Sequence, residues 1–137
     1  MSHPEASATV LLLGTCDTKL HELLFLKDQI RNHESVEVIL LDVGRDNVEH
    51  DAIKVTQTAL VTKHGEGKKT ADLPRGELIK FMAACASRAT RQLFDDGRIH
   101  GIISAGGSGG TSLAGNVFPK PSPSGMSYMH PLCLVLI

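Results

Sequence analysis

The sequence has no tryptophan, a single tyrosine and only 4% aromatic residues, so it offers no platform on which the bases of a single strand could stack. An excess of positive charge is missing as well: 14 Lys and Arg stand against 15 Asp and Glu, for a net charge of −1. Domains that wrap nucleic acid concentrate basic side chains, so no direct nucleic-acid partner is expected. The three cysteines, Cys16, Cys85 and Cys133, are odd in number, far apart and outside any CxxC pair. That excludes a disulfide scaffold and fits a reduced compartment. No apolar run approaches the roughly 18 residues of a membrane span, and no basic stretch precedes the short run Val10 to Leu13. A soluble, cytoplasmic chain with no membrane partner is expected. The seven histidines are scattered without HExxH or paired His/Cys spacing, so no metal site is expected.

What remains is globular in composition, with 42% hydrophobic and 21% charged residues over 137 positions, enough for one domain or part of one. Ala8 to Gly14 is a continuous apolar run, the pattern of a strand covered on both faces. Leu20, Leu23, Leu24, Lys27 and Ile30 then recur at helical steps, with Thr15, Asp17 or Thr18 as the cap. Val36 to Val43 reads as a second buried strand, which completes a βαβ unit. Val48 to Ala59 reads as a short helix, with an irregular extended piece over Val55 to Val61 as the alternative, and Lys63 to Thr70 as a surface loop. Asp72-Leu-Pro-Arg predicts a helix start with Asp72 as cap and Pro74 in the first turn. The stripe from Leu78 to Phe94 carries that helix to Gly97. Ile99 to Ala105 is the third strand, and Leu132 to Ile137 a short final one. From Gly115 onward there is one charged residue, Lys120, and four of the six prolines, and Pro119, Pro121 and Pro123 stop any helix past Val117.

The expected fold is therefore α/β: a Rossmann-like three-layer domain with a short parallel sheet in the order 2-1-3, the first part of a larger domain. Residues 8–115 form the subdomain and 116–137 a divergent Pro/Ser-rich tail. In that order, the chain leaves the first strand in opposite directions and opens a crevice beside it.

Three segments at the strands' carboxyl ends could carry chemistry. Gly106, Gly107, Ser108, Gly109, Gly110 and Thr111 place four glycines in six residues, which lets backbone amides approach an anion while two hydroxyls donate to it. A flexible turn is the plain alternative. Gly14, Thr15, Asp17, Thr18 and Lys19 form a second candidate turn, in which Lys19 could neutralise a phosphate. Asp17 could cap the helix, orient Lys19 or hold a metal indirectly. Asp42, followed by Gly44, ends the second strand where an acid accepts ribose hydroxyls in dinucleotide-binding folds, or where it simply forms a turn. Gly65 to Thr70 ends like a Walker A motif but has Thr62 where the first glycine is required. Cys16, close to a helix start, reads as an inert small residue. No acid–base partner can be assigned to Ser108, and no catalytic residue is named.

Gly14-Thr-Cys-Asp-Thr-Lys19 with Glu22, Asp42-Val-Gly44, the long helix ending at Gly97, and Ala105-Gly-Gly-Ser-Gly-Gly-Thr111 together resemble the N-terminal ATP-binding domain family of the tomato mosaic virus resistance protein. This largely uncharacterised family occurs in bacteria, fungi and plants, and the resemblance covers about residues 8 to 115. It implies a Rossmann-like subdomain that binds ATP, with or without Mg2+, through the glycine-bearing turns. It also implies longer relatives with a second α/β subdomain, often a TIM-barrel-like region, and homodimers. The antiviral role belongs to the plant lineage. Nucleotide binding is thus the leading expectation. A small-molecule enzyme subdomain that takes a phosphate or carboxylate substrate, and a fragment or protein-interaction module without a ligand, are the alternatives.

Overall fold

The computed structural model describes residues 8–34, 36–105 and 133–136. Its elements run β1 (Thr9–Gly14), α1 (Cys16–Glu34), β2 (Glu37–Asp42), β3 (Ile53–Val55), α2 (Gln57–His64), a 3-10 turn (Thr70–Asp72), α3 (Arg75–Asp95), β4 (Gly101–Ser104) and β5 (Cys133–Leu136). All four strand pairings are parallel, and the sheet order is β3-β2-β1-β4-β5. The three expected strands are β1, β2 and β4, in the expected relative order. β5 is the short final strand expected over Leu132 to Ile137, and the sheet is wider than the order 2-1-3, with the unexpected β3 at one edge and β5 at the other.

The apolar runs of the central strands are explained by burial on both faces. Leu11, Leu13, Leu41, Val43 and Ile102 pack against α2 and α3, whereas Leu12, Val38 and Leu40 pack against α1. Leu78, Met82, Cys85, Ala86 and Ala89, spaced by three and four, are the buried stripe of α3. A closing turn at Gly97 ends that helix. Gly97, at φ +73°, donates to Phe94 O, and Arg98 donates to Leu93 O, so two terminal carbonyls are satisfied by a left-handed glycine.

Three local expectations change. Residues 48–55 are not helical: His50 and Asp51 lead into β3, and the helix starts at Gln57, capped by the Thr56 hydroxyl, which accepts from the Ala59 N–H. The extended alternative for Val55 to Val61 fails for the same reason, because the Thr56 cap commits the following residues to a helix. Asp72 is not the cap of α3. It closes the 3-10 turn, and Pro74 stands at the cap position with extended backbone and no side-chain hydrogen bond to the helix.

Candidate functional site

The carboxyl ends of β1, β2 and β4 lie side by side. Gly14 is level with Asp42, and Leu13 is level with Ser104. Beyond the strands, Val43 donates to Gly14 O (2.9 Å) and Ala105 donates to Leu13 O (3.0 Å), which carries the ladder to the rim. Because β2 and β4 flank β1, this edge is a topological switch point, where open α/β sheets bind their ligands. The six residues Gly106, Gly107, Ser108, Gly109, Gly110 and Thr111 lie outside the described residues. Their entry point, Ala105, is fixed on β1.

The turn after β1 is tightly committed. A methyl on Gly14 would come within 2.5 and 2.7 Å of the Leu23 methyls, so this glycine admits α1 against the strand end. The Thr15 and Thr18 hydroxyls bond to each other (2.7 Å), and the Thr18 and Lys19 amides both donate to Thr15 O. Lys19 has non-helical backbone angles (φ −132°, ψ 31°), so α1 breaks after its first turn. Thr18 and Lys19 side chains are exposed, and Lys19 forms no ion pair among the described residues. The amides of Cys16, Thr18 and Lys19 are all bonded within the protein.

None of the three expected residues supplies a side-chain cap for α1. Asp42 does so from the neighbouring strand. Its carboxylate is fully buried, and Oδ1 accepts from the Cys16 N–H (3.1 Å) and the Gly44 N–H (2.8 Å). That position joins the β2 turn to the start of α1 and turns the carboxylate away from solvent. Asp17 works in the opposite direction: its Oδ2 accepts from the amides of Arg45 and Asp46, both at 3.2 Å. Gly44 sits between the two acids, and a methyl there would overlap Asp17 Oδ1 and lie 3.1 Å from Asp42 Oδ1. Burial pushes the Asp42 carboxyl above its ordinary value, opposed by the Gly44 and Cys16 amides, while the nearby Asp17 charge adds to the rise. The Cys16 thiol, buried between these acids, is pushed up to about 12, first by burial and then by Asp42 and Asp17.

Arg45, Gln57 and Thr70 were not anticipated. The Arg45 guanidinium donates to Thr70 O (3.3 Å) and Leu73 O (3.0 Å), and the Gln57 amide donates to Arg45 O (3.0 Å) and Thr70 Oγ1 (3.1 Å). This hub holds the turn after β2 against the segment that leads into α3. No signal in a single sequence marks it, because its members are brought together only by the sheet. Among the described residues, no group of three or more His, Cys, Asp or Glu side chains is placed to hold a metal ion. No helix among them is long and apolar enough to cross a membrane.

Comparison with known proteins places most of this chain alongside longer relatives. The chain is similar to a UPF0261 protein of Clostridium tetani, 33% identical over 112 residues, which cover 77% of this chain and 26% of that protein. It is 32% identical to the ToMV resistance protein Tm-1(GCR237) of Solanum lycopersicum over 129 residues, 82% of this chain and 17% of that protein. A UPF0261 protein of Brucella suis is 30% identical over 139 aligned positions, 90% of this chain and 32% of that protein. The chain thus spans a third or less of the length of these relatives. The family described as "Uncharacterised protein family (UPF0261) N-terminal domain" matches residues 8–126, and this chain belongs to it.

Proposed function

We propose that the chain is a nucleotide-binding module, with ATP, bound with or without Mg2+, as its ligand. One observation carries the reading. The strand order reverses about β1, with β2 on one side and β4 on the other, so the Gly14–Lys19 turn and the chain beyond Ala105 leave adjacent strand ends at the same rim. In this proposal Lys19, the exposed cation of the first turn, meets the phosphates with Thr15 and Thr18. Gly106, Gly107, Ser108, Gly109, Gly110 and Thr111 supply close-approaching backbone and hydroxyls. Asp42 and Gly44 set the turn that walls the site, because Asp42 Oδ1 accepts from both the Cys16 and the Gly44 amides. No reaction is assigned. A homodimer, a cytoplasmic location and longer-range partners belong to the same proposal as features of a larger protein.

Thermal unfolding with increasing ATP, with and without Mg2+, tests the reading, since a ligand that binds only the folded state raises its stability with concentration. Stabilisation by ATP that is lost in Lys19→Ala and in Gly109→Val supports nucleotide binding. An equal effect from inorganic phosphate would replace it with a generic anion site. No effect at millimolar ATP on a folded chain would remove it.

A further inference from the structure

The charge of the chain is unevenly placed. Residues 63–91 carry seven of its 14 basic residues and three of its 15 acidic ones, a local charge of +4 against −5 for the remainder. All seven basic residues are exposed. Within this stretch lies a cleft of about 300 Å3 between α3 and the segment that follows α2. Leu73, Phe81 and Ala84 give it an apolar lining, and Lys68, Lys80 and Arg88 stand around it with Glu66 and Glu77.

The cleft is built before any partner arrives. Residues 65–68 form a tight turn closed by the Lys68 N–H on Gly65 O (3.1 Å), with Glu66 and Gly67 both at positive φ (56° and 83°). A left-handed glutamate is uncommon. Arg88 holds it there, pairing with Glu66 Oε2 (3.4 Å) and donating to His64 O (2.6 Å). A methyl on Gly65 would stand 2.9 Å from the Phe81 ring, so the turn is seated directly on the aromatic side chain of the cleft. A wall ordered in advance removes part of the entropic cost of docking. The same pairing decides the charge. Arg88 neutralises Glu66, Glu77 is the remaining acid, and Lys68 and Lys80 form no ion pair among the described residues. His64, at the start of the turn, is held below its ordinary value first by burial and then by Lys63 and Arg88, the effect of crowded cations.

We propose that this cleft docks an acidic peptide segment of a partner protein, with its carboxylates on Lys68 and Lys80 and one apolar side chain against Leu73, Phe81 and Ala84. The volume lies at the small end for a pocket, which suits a single anchoring side chain better than a whole small molecule. A nucleic-acid backbone would use the cations and leave the apolar lining idle, whereas a carboxylate next to a leucine uses both. Complementary charge steers such a partner in and decides which partner fits. The cleft shares no residue with the rim at the strand ends, so its occupancy does not depend on nucleotide binding.

Titration of the isotope-labelled 137-residue chain with a synthetic peptide of aspartates and glutamates around a central leucine, followed by amide chemical shifts, is the test. Shifts should gather at residues 65–68, 73 and 77–88. Affinity should fall about tenfold in the double reversal Lys68→Glu, Lys80→Glu and rise about threefold in Glu77→Gln. The melting temperature should stay unchanged in these variants, because all three side chains are exposed. Binding should weaken steeply between about 0.05 M and about 0.5 M salt. Replacing the leucine of the peptide by serine should remove most of the affinity. An absence of localised shifts at millimolar peptide, indifference to the charge reversals, or equal binding of the serine peptide would overturn the proposal. So would a preference for a single-stranded oligonucleotide or for phosphatidylserine vesicles over the peptide.

Discussion

Replacing Gly44 by alanine is the sharpest test of how the rim is built. The added methyl would overlap Asp17 Oδ1 and lie 2.8 Å from Asp17 Cγ, so a rotation of the carboxylate alone cannot clear it. Asp17 is a short side chain, and moving it breaks its bonds to the Arg45 and Asp46 amides. Hydrogen bonds to a charged group contribute about 1.5–3 kcal/mol each, and partial exposure of this loop brings the pair toward the low end, about 3 kcal/mol in all. For a domain of this size that corresponds to a fall of about 10 °C in melting temperature. Gly76→Ala is the matched control, because nothing lies within 4 Å of a methyl there and the position is helical. It should gain up to about 1 kcal/mol from reduced backbone freedom in the unfolded chain. Adding Asp17→Ala to Gly44→Ala should be less damaging than the sum of the two single changes, since the second change removes the obstacle created by the first. Should Gly44→Ala melt within about 2 °C of wild type, the close approach of Asp17 to Gly44 is not a constraint and the account of this rim is wrong.

Two further outcomes follow from the same geometry. Cys16 and Cys85 are both buried, with thiols held above their ordinary value chiefly by burial, Cys16 up to about 12. At pH 8, Cys16 should carry about a thousandfold less thiolate than an ordinary thiol, and site-resolved alkylation should label both residues only on unfolding. Native-state labelling of Cys16 at the rate of the unfolded chain would contradict this. Arg45→Ala removes two guanidinium bonds to carbonyls and should cost about 1–2 kcal/mol. Hydrogen exchange should quicken at residues 70–73 and in the first turn of α3 while the β1 amides remain protected. Uniform loss of protection would show that Arg45 is not a local strap.

The parts of the fold that could be read from the residues are those whose pattern is local. The continuous runs at 10–13 and 38–41 announce strands buried on both faces, and the stripe through Leu78, Met82 and Ala89 announces α3. β3 escapes notice because Ile53–Val55 is three residues long and only Ile53 is buried. The α3 start is misread because Asp72 and Pro74 have the right composition, while the chain uses Asp72 to finish a separate turn. At the site, the candidate residues Gly14, Asp17, Asp42 and Gly44 are gathered at one edge, but their individual parts are not local properties. Asp42 caps a helix that begins 26 residues earlier, and Asp17 holds amides 28 and 29 residues later. Such pairings exist only once β1 and β2 are in register.

The position of β1 has a kinetic consequence. Its first neighbour, β2, is built after a single helix, but its second, β4, is distant along the chain: Thr9 and His100, 91 residues apart, bond to each other at the start of that ladder. During synthesis the middle strand must therefore wait, one flank unmated, until almost the whole domain has left the ribosome. Closing so long a loop is slow. The nascent βαβ unit carries a sticky, half-dressed edge throughout that interval, so misassociation is most dangerous before β4 emerges, and growth temperature and expression rate should govern the yield of soluble material.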